Sequence, residues 1–261
     1  MERLIPGQPA ARRALCTGVT LIALACFSVH AVAADLMVSA ASSLTNVFQE
    51  IGKAYERVKP DERVLFNFAA SGSLLQQIAR GAPVDVFASA DQQTMDRAEK
   101  QNLIYRDSRV DFADNKVLLM APGGSTLQLR GLSDLAGAGV QRIALGNPDS
   151  VPAGRYAKQA LEKAGLWEQL LPKYVYTQNV RQSLDYVFRG EVDAGFVYAT
   201  DAAVSPVKVK VAAKVPLDAP VSYPIAVVKG FGSERRGRLF IEFVRSDSCR
   251  KILARYGFLQ P

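Results

Sequence analysis

Histidine is all but missing from this chain. His30 is the only one in 261 residues, and the three cysteines are Cys16, Cys26 and Cys249. Of these four residues, only Cys249 lies beyond position 33. Without the first 33 residues the chain keeps one thiol and no imidazole. It can then form no internal disulfide, no Ser-His-Asp triad and no histidine-ligated metal site. Beyond position 33 no apolar run is long enough to cross a membrane as a helix. Internal repeats, low-complexity linkers and blocks of like charge are also lacking. The formal net charge of +7 is spread along the chain. That spread argues against a nucleic-acid partner, while mild positive charge would help draw in an anion.

Residues 1–33 read as an export signal. Arg3, Arg12 and Arg13 supply a positive start, Cys16 to Val29 a short apolar stretch, and Ala31-Val32-Ala33 a small-residue cleavage site. Cleavage near Ala33 would leave an exported mature protein. The alternatives are an uncleaved anchor, opposed by the Arg flanks and the A-x-A site, and a lipid on Cys26, opposed by the poor Ala23-Leu24-Ala25 context. Loss of three Arg and one Glu lowers the formal charge from +7 to +5. About 228 residues remain, enough for two small lobes or one large domain.

Short β-rich runs recur at Leu36–Ala40, Val64–Phe68, Val84–Ser89, Val117–Met120, Ile143–Leu145, Tyr174–Tyr176 and Ala194–Tyr198. Helical patterns lie between most of them, at Leu74–Arg80, Gln92–Gln101, Tyr156–Ala164 and Val180–Arg189. A further helix is predicted by the apolar face of Leu44, Val47, Phe48, Ile51, Ala54, Tyr55 and Val58. Val204 to Pro224 reads as strands and turns. The alternation is that of α/β structure with mainly parallel sheets covered by helices. In such sheets ligands collect at the carboxyl ends of strands, where helices begin.

The helix starts share a second scarcity, of acidic residues. Ser43 in SAASSLTNVFQEI, Ser71 in FAASGSLLQQI, Ala153 in GNPDSVPAGRYAKQAL and Val180 in TQNVRQSLDYVF stand at helix entrances, several of them short, small and free of acidic residues at the tip. Gly72 there permits close backbone approach. Each entrance alone is explained by capping, with Ser42 or Ser43 and Asn179 as caps. Four together point to free N–H groups and hydroxyls arranged for an oxyanion, although spacing does not name it. Asp91 reads as a helix cap, and Asp85 and Asp201 as structural braces. Cys249, in an amphipathic C-terminal segment, and Trp167 read as packing.

The stretches AASSLTNVFQEI, FAASGSLLQQI, GAPVDVFASAD, LGNPDSVPAGRYAKQAL, NVRQSL, AGFVYATDA, YPIAVV and RYGF together resemble the periplasmic molybdate-binding proteins that feed ABC importers. The resemblance runs from about Leu36 to Phe258. It implies a type II solute-binding fold: two α/β lobes, 34–115 with 226–261 and 116–225, with the ligand in the cleft between them. The chain would cross near Asp111–Ala121 and return near Val221–Val228. Ser43 and Ser71 would donate through hydroxyl and backbone N–H, Ala153 and Val180 through backbone N–H, and Tyr198 through its phenol. Ala41, Ser42, Ala70 and Gly154 would shape the pocket, and Gly72 stands where relatives often carry another small polar residue. The implied ligand is molybdate or tungstate, with no further cofactor and no direct cation site. The implied partners are the membrane permease subunits of an ABC importer, the protein itself being a monomer and not an enzyme. A carrier for sulfate or phosphate is the alternative within the same class. A serine hydrolase using Ser43 or Ser71 is a remote one, since no G-x-S-x-G or S-x-x-K motif is present. A signalling receptor would look the same in sequence.

Overall fold

The structure, a computed structural model, describes residues 34–203, 209–230 and 232–261. The expected export signal, with Cys16, Cys26 and His30, lies outside the described residues, as do residues 204–208 of the Val204–Pro224 stretch.

The chain alternates as the sequence predicts. Strand β1 (Ala34–Ala41) passes through a single 3-10 turn, Ser42–Leu44, into helix α1 (Thr45–Val58). Strand β2 (Glu62–Ala69) leads to α2 (Ser71–Ala79), and β3 (Val86–Ala88) to α3 (Gln92–Lys100). After β4 (Val110–Asn115), Lys116 alone intervenes before β5 (Val117–Pro122). Then come β6 (Ile143–Gly146), α4 (Pro152–Lys163) and the single-turn α5 (Trp167–Leu170). They are followed by β7 (Tyr174–Thr177), α6 (Val180–Phe188), β8 (Ala194–Tyr198) and the short α7 (Ala199–Ala203). The chain ends with β9 (Val209–Lys214), β10 (Val221–Val227), α8 (Glu234–Val244) and α9 (Asp247–Arg255).

The strands form two five-stranded sheets, in the orders β2-β1-β3-β10-β4 and β7-β6-β8-β5-β9. In each, four strands run one way and one is reversed: β10 in the first sheet, β5 in the second. Each reversed strand is the first one laid down after the chain passes from the other sheet. The passages are at Lys116 and at residues 215–220. The boundary expected at 225/226 therefore falls inside β10. That strand pairs as one ladder with β3 and β4, Val221 opposite Asn115 and Val227 opposite Val86, so residues 221–225 belong with the first sheet.

Burial follows the apolar periodicity. Leu36, Val38 and Ala40, on one face of β1, are fully buried, and Ser39 on the opposite face is as well. On α1, Val47, Phe48, Ile51 and Tyr55 face inward, and Tyr55 meets Phe240 of α8 edge-on at 5.3 Å. Val58, expected on the same face, is 59 % exposed because the helix ends there. Asp85 accepts hydrogen bonds from Met37 N at 2.8 Å and Ser233 N at 2.9 Å, tying β1 to the start of α8. Trp167 packs on Tyr174 with ring centres 4.8 Å apart, and Cys249 is fully buried in the core. Among the described residues no helix is long and apolar enough to cross a membrane.

Candidate functional site

The carboxyl ends of the same-direction strands in both sheets lead into helix starts, and several of these meet at one small cavity. The space within it is small. Ser43, Ser71, Ala153, Val180 and Tyr198 all line it, together with Ala41, Ser42 and Ala70. No lining side chain is charged. Gly154 is not among the lining residues. It sits behind them, where α4 crosses β6 so closely that a Cβ would fall 1.8 Å from the Gly146 carbonyl oxygen.

The first turns explain what the cavity presents. A helix leaves its first N–H groups without intrahelical acceptors. The Ser42–Leu44 turn, α2 and α4 begin after Ala41, Ala70 and Val151, none of which caps through a side chain. The expected cap at Ser42 or Ser43 is thus not made: Ala41 occupies the cap position, and Ser43 Oγ lies 3.1 Å from Tyr223 Oη instead. Helix α6 is capped, Asn179 Oδ1 accepting from Gln182 N at 3.1 Å, which leaves the N–H of Val180, the first helical residue, to the cavity side. None of these four starts carries an acidic residue in its first turn. Their partial positive charges converge on one point.

The hydroxyls are held in place. Ser71 Oγ accepts from Ala90 N at 3.0 Å, and Tyr198 Oη donates to Ala90 O over a long 3.4 Å. Tyr198 is 1 % exposed, and burial pushes its phenol well above the ordinary range, so it stays protonated.

Two carboxylates flank the cavity and each is matched by an arginine. Asp91 caps α3 by accepting from Thr94 N at 3.2 Å, as the sequence predicts. Its other oxygen accepts from Arg155 Nε of α4 at 2.7 Å, and Arg155 also donates to Thr94 Oγ1 at 2.6 Å and Pro148 O at 3.0 Å. Asp201, fully buried, accepts from Tyr198 N at 3.2 Å and lies 2.6 Å from Arg181 Nε. That contact is Coulombic, since the N–H does not point along it. Burial raises the Asp201 carboxyl, and the Arg181 charge pulls it partly back. Arg181 continues to Asn46 Oδ1 at 2.8 Å and Ser43 O at 3.4 Å.

Arg155 and Arg181 therefore join the part of the chain around the second sheet to the part around the first. A third junction is made of backbone alone. Gly72 N donates to Ser150 O at 2.9 Å, and a Cβ at position 72 would lie 2.7 Å from both the Cα and the oxygen of Ser150. Sequence reasoning missed these bridges, and it missed Tyr223, Asn115 and Ala90. Arg155 and Arg181 stood inside quoted motifs, but nothing in the motifs says what they reach.

A larger crevice lies at the passages between the sheets, lined by Asp114, Lys116, Lys214 and Asp218 among others. No helix start converges on it. Among the described residues no cluster of His, Cys, Asp or Glu could hold a metal ion.

Two sheets of one topology, each feeding uncapped helix starts into a shared neutral cavity, define an α/β ligand-binding protein rather than a scaffold of packed helices. Residues 36–259 match the family model described as bacterial extracellular solute-binding protein, and the chain belongs to that family. It is 38 % identical over 231 residues to a molybdate-binding protein of Escherichia coli, covering 85 % of this chain and 88 % of that one. It is 37 % identical over 224 residues to a putative ABC transporter substrate-binding lipoprotein of Bacillus subtilis, covering 85 % of each chain. Among solved structures it resembles the substrate-binding domain of a putative molybdenum ABC transporter from Clostridium difficile. That match has 35 % identity and a TM-score of 0.66, and covers 87 % of this chain and 99 % of that one. The architecture is that of the type II solute-binding proteins.

Proposed function

We propose that this protein binds molybdate, and also tungstate, outside the cytoplasm and delivers it to the permease subunits of an ABC importer. The observation that carries the reading is the neutral cavity where Ser43, Ser71, Ala153, Val180 and Tyr198 meet, in a chain similar to molybdate-binding proteins. In this reading Ser43 and Ser71 donate through hydroxyl and main chain, Ala153 and Val180 through the main chain, and Tyr198 through its phenol. The dianion is held without a basic side chain, its charge met by helix starts. Hydrogen bonds to a charged acceptor are worth about 1.5–3 kcal/mol each. These values are already net of the lost water contacts, so several such bonds together reach the roughly 8 kcal/mol of micromolar affinity.

The parts around the two sheets act as lobes, 34–115 with 221–261 and 116–220. Because donors come from both, the ligand favours the closed arrangement, which is the form an importer's permease reads. Export follows from residues 1–33 and puts the monomer in the periplasm. Size sets selectivity. In a fixed ring of donors sulfate, being smaller than molybdate, leaves some donors unpaired, and an unpaired buried donor is costly.

The test is isothermal titration of the ligand-stripped protein with molybdate, then tungstate, sulfate and phosphate. One tight site for the first two and little response to the others is expected. Tight sulfate or phosphate binding instead would keep the fold and change the substrate, and turnover of an ester that vanishes in Ser43→Ala would move the protein to another class.

A further inference from the structure

Arg155 and Asp91 meet across the junction of the two lobes, and neither lines the cavity. Each is anchored in its own lobe. Asp91 Oδ1 accepts from Thr94 N and from Ser89 Oγ, both at 3.2 Å. Arg155 Nη1 donates to Pro148 O at 3.0 Å. What remains of both groups faces the other lobe. Asp91 Oδ2 lies 2.7 Å from Nε and 2.7 Å from Nη2 of Arg155, and Nη2 also donates to Thr94 Oγ1 at 2.6 Å. The two side chains are 11 % and 5 % exposed. A buried pair repays its desolvation when its remaining polar groups are satisfied nearby, which is the case here. Among the described residues this is the one salt bridge between the lobes. Arg181 differs: its carboxylate partner, Asp201, is in its own lobe, and it reaches across only to the neutral acceptors Asn46 Oδ1 and Ser43 O. The Arg155 pair also adjoins the cavity on both sides. Asp91 follows Ala90, which contacts Ser71 Oγ and Tyr198 Oη, and Arg155 stands two residues after Ala153.

We propose that Arg155 is a positioning residue of the site: its pair with Asp91 latches the lobes shut without touching the ligand, and so sets how long a bound oxyanion stays. The inference rests on the oxyanion reading of the cavity and deepens it by adding a control on release. Ligand enters the open arrangement, in which Arg155 and Asp91 are apart and both solvated. Closure joins them and brings Ala153 and Tyr198 of one lobe up to Ser71 of the other. Bound ligand leaves only after they part. The latch therefore slows release and does not slow entry into the open form. It acts by the same factor on any ligand the cavity accepts, because apparent affinity scales with the population of the competent arrangement. Neither lobe needs the pair for its own fold, since Asp91 caps α3 and Arg155 holds Pro148 without it.

The experiment compares the wild type with Arg155→Met and with the double variant Arg155→Met, Asp91→Asn. The single variant leaves the Asp91 carboxylate buried and unmatched whenever the lobes close. The double variant removes that charge as well, and Asn keeps the cap on α3. Two quantities are read. Spin labels on Gln76→Cys of α2 and Asp185→Cys of α6, both exposed positions, report the distance between the lobes with no ligand added, the native thiol of Cys249 being buried. Stopped-flow measurements follow entry and release of molybdate and of tungstate. In Arg155→Met the ratio of closed to open molecules should fall at least about tenfold, and release of both oxyanions should quicken by about the same factor, with entry no slower. The double variant should recover at least about threefold of each change. If the distances are unmoved in Arg155→Met, if the double variant recovers nothing, or if molybdate and tungstate respond by unlike factors, the latch is wrong. Should Arg155→Met fail to fold, Thr94→Val is the second variant, nearly isosteric and without the hydroxyl that Arg155 reaches. A shift of about threefold in the same direction is expected, and none overturns the latch. A wild type that binds no molybdate removes the functional reading, while the distances still decide the latch, so the two failures are told apart.

Discussion

Helices that begin at the cavity and helices that begin away from it satisfy their first turns differently. Away from it, α8 and α9 are capped by Ser233 and Ser246, with Glu234 and Asp247 in their first turns. At it, the Ser42–Leu44 turn, α2 and α4 have neither a side-chain cap nor an acid, and α6 has a cap but no acid. The intermediate case is instructive. Helix α3 begins beside the cavity and carries Asp91, but this carboxylate already serves as the anion of its own helix and is bound from the other side by Arg155. A charged side-chain cap and a dianion compete for the same positive helix end, even though a neutral cap, as on α6, takes the third N–H and leaves the first one free. Where a cap would block binding the chain omits it, and the stability a cap would supply is left to whatever the cavity receives.

The comparison breaks most completely if a cavity start is converted into a capped one. Ala70 stands at the cap position of α2 with extended backbone, φ −63° and ψ 140°, and lines the cavity. Ala70→Asp would place there the carboxylate that Asp91 supplies to α3. Molybdate affinity should fall by at least about a hundredfold, since a carboxylate on the cavity wall repels the dianion and already occupies the positive end of α2. Thermal stability at neutral pH should stay within roughly 1 kcal/mol of the wild type or exceed it, because caps and anions favour helix N-termini. Calorimetric titration and a melting curve on one preparation check both halves. Retained affinity would mean that the α2 start is not part of the site.

A smaller effect is expected where a donor is removed and no charge is added. Tyr198→Phe deletes one phenolic hydrogen from the cavity wall and leaves the ring in place. Molybdate binding should weaken by about 1.5–3 kcal/mol, the worth of a hydrogen bond to a charged group, with little change in melting temperature, because the bond from Tyr198 to Ala90 O is already long at 3.4 Å. Unchanged calorimetric affinity would take Tyr198 out of the binding set.

The alternation of strands and helices was legible because it rests on local periodicity, and the helix starts were legible because glycine, serine and the lack of acids mark them. The donor roles at Ser43, Ser71, Ala153, Val180 and Tyr198 came from resemblance and not from pattern. What could not be read was who faces whom. Strand β4, VDFADN, hides its pattern behind Asp111 and Asp114, and its identity as a sheet edge depends on β10, more than a hundred residues later. Ser43 looked like a cap because serine before a helix usually is one. Only the arrival of Tyr223 from β10 shows its hydroxyl to be engaged elsewhere. Arg155 and Arg181 lie on helices whose periodicity says that they point outward, and it takes the other sheet to give them Asp91 and Asn46 as partners.

The smallest effect should come from the other side of the comparison, and it is informative because it should leave binding alone. Ser233 Oγ accepts from Arg236 N at 3.4 Å, a weak cap on α8, with no place in the cavity. Ser233→Ala removes that acceptor and keeps the backbone N–H that Asp85 holds at 2.9 Å. The expected cost is about 0.5–1 kcal/mol of stability, read as a lower urea midpoint at unchanged slope, with molybdate affinity the same within error. Ala70→Asp and Ser233→Ala would then move binding and stability independently: one weakens binding strongly with little change in stability, the other costs stability and spares binding. If Ser233→Ala also weakened molybdate binding, helix starts far from the cavity would be coupled to it, and the division between capped and uncapped starts would reflect stability alone.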